Sequence, residues 1–170
     1  NSPLHIAVAQ NTSSEQLDYL LSLSPEVNGR NKKGETAIFL AVKNNRRKLG
    51  ESLLANGADV FSANNKENSA LKYAMSMGGE IQEWLLTSEV IKASDGIGNT
   101  PLHYASEWKF NNSVAILLEK GANPNTQNAN GETPLFYAVK SNSVATISIL
   151  LEKGASKDIR DFLGNTALHY

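Results

Sequence analysis

Three histidines, His5, His103 and His169, are the side chains of this chain best suited to acid–base work near neutral pH or to zinc ligation. Each closes the same local phrase: Ser2-Pro3-Leu4-His5, Thr100-Pro101-Leu102-His103 and Thr166-Ala167-Leu168-His169. The phrase recurs at a period of about 33 residues, so the three rings sit on different structural units and do not converge on one metal. Phe39, Lys72 and Phe136 fill the same slot in other copies, which argues against chemistry there. There is no cysteine, which excludes disulfides, thiolate metal sites and a cysteine nucleophile. No nucleophile elbow, glycine-rich phosphate loop or HExxH zinc pattern occurs, and no carboxylate pair stands out as acid and base. Gly96-Ile97-Gly98 reads as a turn, not a phosphate cradle. The expectation is a chain with no catalytic residue, no metal and no cofactor.

The elements that carry the phrase are regular. Its other copies are Thr36-Ala37-Ile38-Phe39-Leu40-Ala41, Ser69-Ala70-Leu71-Lys72-Tyr73-Ala74 and Thr133-Pro134-Leu135-Phe136-Tyr137-Ala138. In the fifth copy Gly131 suits a tight turn, Thr133 a helix cap and Pro134 the first helical position, where no amide donor is missed. Leu135, Ala138 and Val139 follow at helical spacing. Ser141-Asn142-Ser143 breaks that helix, and Val144, Ile147, Ile149, Leu150 and Leu151 form the apolar stripe of a second one, ended by Gly154-Ala155. Paired leucines mark the second helix throughout: Leu20-Leu21, Leu53-Leu54, Leu85-Leu86, Leu117-Leu118 and Leu150-Leu151. The break between the two helices falls on Asn11, Asn45, Gly78, Lys109 and Asn142, and asparagine tolerates left-handed backbone best after glycine.

The phrase resembles the Thr-Pro-Leu-His-x-Ala signature of the ankyrin-repeat family, and the matches run over nearly the whole chain. The resemblance implies an all-α solenoid of stacked helix-turn-helix ankyrin repeats with β-hairpin loops, about five repeats plus the start of a sixth. The repeats fall near 1–33, 34–66, 67–97, 98–130, 131–163 and 164–170, all in one domain. It also implies a structural role for the histidine, hydrogen-bonded within and between neighbouring repeats. The first repeat departs from the pattern by one extra residue around Asn11–Glu15 and by Ser24-Pro25-Glu26 in place of its glycine-alanine stop. Gly50 stands where a buried branched residue is usual. In the third repeat Glu67 replaces the turn glycine, Gly78-Gly79-Glu80 is short, and Thr87-Ser88-Glu89 replaces the stop. A distorted stack is expected there, with Trp84 filling space that smaller residues fill elsewhere.

Sixteen basic against seventeen acidic residues leave no net-charge argument for nucleic acid or a membrane surface. No apolar run approaches the roughly 20 residues of a membrane helix. No membrane insertion and no nucleic-acid partner are therefore expected, and the chain is read as a cytoplasmic monomer, with secretion as the alternative location. It opens and closes within repeat signatures that carry ordinary core residues, so a longer natural protein and fraying of the outer repeats are expected.

Function then rests on the residues between the signatures. In the family, the concave face is built from hairpin tips and first helices. Carried over by position, that face holds Lys32, Lys33, Glu35 and Lys43; Asn65, Lys66, Asn68 and Ser76; Gly96, Ile97, Asn99, Glu107 and Trp108; Ala129, Asn130, Glu132 and Lys140; and Phe162, Leu163 and Asn165. One local signal is basic: Arg30, Lys32, Lys33, Lys43, Arg46, Arg47 and Lys48 surround Glu35, a pattern for a solvated surface or an acidic segment of a protein. The other is apolar: Ile97, Trp108 and Phe110, which either anchor a partner or fold back on neighbouring repeats. The expected function is a non-enzymatic protein–protein interaction module whose partner-binding candidates are Lys32, Lys33, Lys43, Arg46, Arg47, Ile97, Asn99, Glu107, Trp108 and Lys140. The alternatives are a targeting or regulatory domain of a larger enzyme and a host-directed bacterial effector.

Overall fold

The computed structural model describes residues 2–23, 26–78 and 83–170. The readings placed on Ser24, Pro25, Gly79 and Glu80 lie outside the described residues. The chain divides into two compact units, Asn1–Leu85 and Leu86–Tyr170. In the first, signature helices Pro3–Gln10, Ala37–Lys43 and Ala70–Met77 alternate with second helices Ser14–Ser22 and Arg47–Ala55. In the second, a short helix Ser88–Lys92 precedes the pairs Pro101–Glu107 with Asn111–Glu119 and Pro134–Lys140 with Val144–Glu152, and a 3-10 turn Ala167–His169 closes the chain. Within each unit a signature helix packs on its own second helix and on the next signature helix. These are the stacked helical pairs that the repeat predicts.

Local chemistry starts each helix. Thr36 and Ser69 accept from the amides of Phe39 (3.3 Å) and Lys72 (3.1 Å), satisfying first-turn donors. Thr133 holds the cap position before Pro134 without a capping bond from its side chain; the Phe136 amide meets the Thr133 carbonyl instead, at 3.0 Å. Between helices the backbone turns left-handed at Asn11, Asn45, Lys109 and Asn142, with φ of 54°, 49°, 60° and 53°, the positions the register assigned to the break. Gly78, at φ 64° and ψ −158°, takes a conformation open only to glycine.

Glu67 also turns left-handed, at φ 57°, in the hairpin where Glu67 stands for glycine. A side chain there costs about 1–2 kcal/mol, offset in part by the greater unfolded-state freedom of glycine. Glu67→Gly is therefore expected to stabilise the first unit by about 0.5–1 kcal/mol. A urea midpoint that stays put or falls, at unchanged m, would contradict this.

The core follows the helical register, with one correction. Ile38, Leu53 and Leu71 are fully buried in the first unit, and Leu102, Leu117, Phe136 and Leu150 in the second. One leucine of each pair, or both at Leu85-Leu86, is buried. Val144 and Leu151, expected in the apolar stripe, are instead 74% and 44% exposed. The buried residues of that helix are Thr146 and Leu150. The Thr146 hydroxyl donates to Asn111 Oδ1 at 2.7 Å and lies 2.8 Å from the Ser143 hydroxyl. Those bonds fix the inward face on the 143–146–150 row, and residues 144 and 151, seven apart on the opposite row, turn outward.

The hairpins are simpler than the resemblance implies. Among the described residues the loops contain no strand, only an isolated antiparallel bridge between Arg160 and Thr166. Each is a tight turn closed by a pair of backbone bonds, as in Asn31 to Glu35 (3.0 Å) and Gly34 to Asn31 (2.8 Å).

The two odd features of repeats two and three explain each other. Trp84 is 5% exposed, and a Cβ at position 50 would stand 2.5 Å from the edge of its ring. Gly50 thus makes room for the indole, whose N–H donates to Asn45 Oδ1 at 3.3 Å. Where a glycine-alanine stop was missing, Thr87 accepts the Val90 amide (3.3 Å) and starts the helix Ser88–Lys92, which buries Val90 and Ile91.

Candidate functional site

The histidines are consumed by structure. The His103 Nδ1 accepts from the Thr100 amide at 3.1 Å, so its Nε2 carries the proton and donates to the Glu132 carbonyl of the next repeat at 3.1 Å. His5 repeats the arrangement with Ser2 (3.1 Å) and the Glu35 carbonyl (2.8 Å), and the His169 Nδ1 accepts from the Thr166 amide at 3.1 Å. Burial holds His103 below the ordinary histidine range, more than its bond to the Glu132 carbonyl and the charges of Asp95 and Glu132 raise it. It is a neutral tie between repeats. Among the described residues no group of three or more histidines, aspartates or glutamates is arranged to hold a metal ion, and no helix is long and apolar enough to cross a membrane.

The hairpins are shaped by one repeated side chain. Asn31, Asn64, Asp95, Asn128 and Asp161 each open a turn and accept two amides from it. Asp95 Oδ1, for example, takes those of Ile97 (3.0 Å) and Asn99 (2.9 Å). In the second unit tyrosines of the signature hold the same residues. The Tyr104 hydroxyl donates to Asp95 at 2.5 Å and Tyr170 to Asp161 at 2.7 Å, while Tyr137 accepts from Asn128 at 3.0 Å. Burial, and then the Asp95 carboxylate, push the Tyr104 phenol up to about 12. Successive tips are joined through the main chain: the Asn65 amide to the Lys33 carbonyl (3.0 Å), Ala129 to Ile97 (2.9 Å) and Phe162 to Asn130 (3.0 Å). Lower down, Asn28 and Asn125 reach the Gly57 and Gly154 carbonyls at 3.1 and 3.0 Å and accept the amides of Asp59 and Ser156. The sequence shows these asparagines at equivalent positions, but equal spacing alone does not say what they bond.

The candidate residues fall into distinct settings. Lys32, Lys33 and Ile97 ride the tips and are exposed, Ile97 by 54%. Glu107 is exposed at the end of its helix. Trp108 is half-buried, stacked on Tyr104 with centroids 5.0 Å apart and tilted 60° against Phe110. Lys43 and Lys140 are held by the same device, an ion pair with Glu35 (3.5 Å) and Glu132 respectively, and the Lys140 ammonium lies 4.4 Å from the centre of the Tyr170 ring. Burial raises the Glu35 carboxyl, but the Asn31 amide and the Lys43 charge outweigh it and hold the group below its ordinary value. Asn99 is misplaced by the resemblance: it is 3% exposed, and its Oδ1 accepts from Asn128 (2.8 Å) and Tyr137 (2.9 Å). Glu35 and Glu132 are likewise buried. Arg46 and Arg47 sit at the break after Ala37–Lys43, at the opposite end of that helix from the hairpin, and Arg47 donates to Glu51 at 2.8 Å.

The family description for ankyrin repeats in three copies matches residues 1–64, 51–128 and 112–170. The chain belongs to the ankyrin-repeat family. An ankyrin repeat domain from Acinetobacter baumannii superposes on it with a TM-score of 0.62 at 30% identity, covering 98% of this chain and 88% of that one. The ankyrin repeat domain of Bcl-3, a member of the IkappaB protein family, gives a TM-score of 0.67 at 26% identity, covering 99% of this chain and 78% of that one. The mitochondrial disaggregase of Bos taurus is 34% identical over 126 residues, 71% of this chain and 18% of the disaggregase. The ankyrin chain spans between 5% and 44% of the length of the curated relatives it matches. Ankyrin repeats are in general protein–protein interaction modules, and the ties described above are the ones that stack them.

Proposed function

We propose that this ankyrin array is a non-enzymatic protein-binding module that meets its partner through the hairpin tips and first helices. The observation that carries this reading is the division of labour in the turns. The main chain and the Asx residue complete every bond the turn needs, and the intervening side chains at 32, 33 and 97 are left exposed. In the first unit the tips present exposed Lys32 and Lys33, while Glu35 is ion-paired with Lys43, and they suit an acidic segment. In the second unit Ile97 and the Tyr104–Trp108 stack offer an apolar contact with a rigid aromatic base. Asn99 takes no part, and Lys140 contributes only by the outer side of its ion pair.

Capture from the native cell with wild-type bait, Lys32→Ala/Lys33→Ala, Trp108→Ala and the remote control Lys157→Ala tests the reading by mass spectrometry. At least one partner is expected to fall about tenfold or more with a face variant, as hot-spot truncation does, and to persist with the control. Retention of every partner by both face variants would sink it. A second reading, as a regulatory or targeting part of a larger enzyme, is favoured by the similarity to the disaggregase, of which the matched region is a minor part.

A further inference from the structure

In two repeats the inner face neutralises its own charge. Glu35 pairs with Lys43 and Glu132 with Lys140, so a residue just before the signature meets the one eight positions on, at the end of the first helix. The fourth repeat breaks this arrangement. Glu107 ends the helix Pro101–Glu107, in the place of those lysines, and the place of the glutamates is taken by Asn99. Asn99 carries no charge, and its Oδ1 already accepts from Asn128 and Tyr137 at 2.8 and 2.9 Å. The lysine of the next repeat is engaged as well, by Glu132 and by the Tyr170 ring, whose centre lies 4.4 Å from its ammonium. Glu107 is exposed, and among the described residues its carboxylate makes no hydrogen bond or ion pair. It stands where two repeats meet: burial above all pushes the phenols of Tyr104 and Tyr137 up, and the Glu107 charge adds to the push on both. The turn that leads into the same helix presents exposed Ile97, and the next tip along, Ala129-Asn130, is exposed and uncharged.

We infer that Glu107 selects the partner segment bound by the second unit: a lysine or arginine flanked by an apolar side chain that meets Ile97. The inference rests on the protein-binding reading above and sharpens it. A carboxylate that its own fold leaves without a counter-ion on a binding face favours a cation from outside and rejects an anion. The exposed tips of the first unit carry Lys32, Lys33 and Lys66 against Glu67, which is the opposite preference. The two units thus read segments of opposite charge.

The test selects a random peptide library displayed on phage against the whole chain, Glu107→Gln and Glu107→Lys. Wild type is expected to enrich peptides that place lysine or arginine beside an apolar residue, and Glu107→Lys to enrich aspartate or glutamate there instead. A synthetic copy of the best wild-type peptide should bind Glu107→Gln about tenfold more weakly, the lower end of coupling for close charge pairs across an interface. It should bind Glu119→Gln as well as wild type, because that exposed carboxylate on the second helix of the same repeat removes the same charge at another place. Glu107 is exposed, so both of its variants leave the core intact. Enrichment without a basic residue, or equal weakening by Glu107→Gln and Glu119→Gln, would overturn the inference and leave the protein-binding reading standing. So would peptides released only by Lys32→Ala/Lys33→Ala. Failure to enrich any peptide that a face variant weakens would overturn both.

Discussion

Isoleucine at position 50 is expected to collapse the stability of the first unit. The glycine lies in the middle of Arg47–Ala55, where its own backbone freedom already costs about 0.5–1 kcal/mol relative to alanine. By helix propensity alone the change should help. Sterics reverse the sign, because the first added carbon meets the Trp84 ring at 2.5 and 2.6 Å, inside van der Waals contact, and three more carbons follow. Overpacking of a dense core costs about 1–3 kcal/mol, and this collision with a rigid indole belongs at or above the upper end. Trp84→Val alone should also cost about 3 kcal/mol, by opening a cavity and releasing the bond to Asn45. Combined, the two changes should cost about 1–3 kcal/mol less than their sum, since the isoleucine occupies the space the indole vacates. Urea unfolding of the four proteins measures that coupling. Additivity within about 0.5 kcal/mol would show that the ring and the glycine are not the matched pair described.

The second large effect is at His103. Replacement by leucine keeps the volume and removes every polar contact of a fully buried ring. The Thr100 amide and the Glu132 carbonyl lose partners that bonded at 3.1 Å. The Glu132 carbonyl keeps the Asn128 amide at 3.0 Å, so the stranded groups are the amide and hydroxyl of Thr100. A buried group stranded in this way costs about 1–3 kcal/mol, and a loss of about 2 kcal/mol in the second unit is expected. The same ring gives a pH signature. Its folded pKa lies below the unfolded 6.5, so between the two values the unfolded chain binds the extra proton. The contribution of His103 to stability is therefore full above about pH 6.5 and is lost as the pH falls through the depressed folded value, at no more than about 1.4 kcal/mol per pH unit. Denaturation midpoints followed from pH 7.5 to 5 should drop less in the leucine variant than in wild type. Equal pH profiles would mean that His103 is not held neutral.

Much of this architecture was legible because it is periodic. The left-handed breaks at Asn11, Asn45, Lys109 and Asn142, the leucine pairs of the second helices and the structural histidine are each written several times, and repetition separates a rule from an accident. What was not legible depends on bonds between residues far apart in sequence. Trp84 and Gly50 were each visible as irregular, yet nothing in one strand of letters says that an indole 34 positions away fills the space over a glycine. Asn99 occupies a variable family position, but Asn128 and Tyr137 from the next repeat draw it into the interior. Val144 fits an apolar stripe by composition, and only the polar bonds of Ser143 and Thr146 to each other and to Asn111 decide which row of that helix faces in. The basic stretch from Arg30 to Lys48 divides, as the repeat register expects, into a hairpin group and a loop group at opposite ends of Ala37–Lys43.

The seam between hairpins has a consequence for how such a protein changes over time. Its bonds run from the amides of Asn65, Ala129 and Phe162 to the carbonyls of Lys33, Ile97 and Asn130, atoms that every amino acid other than proline possesses. In these main-chain bonds the joint is indifferent to side-chain identity, although the Asn65 side chain adds a bond to the Lys32 carbonyl at 3.2 Å. A lineage can rewrite the outward letters at these tips, exchanging a basic side chain for an apolar one, while the joint beneath them stays the same. Outward surface and cohesion are carried by separate atoms of the same residues, and selection can act on the first without dismantling the second.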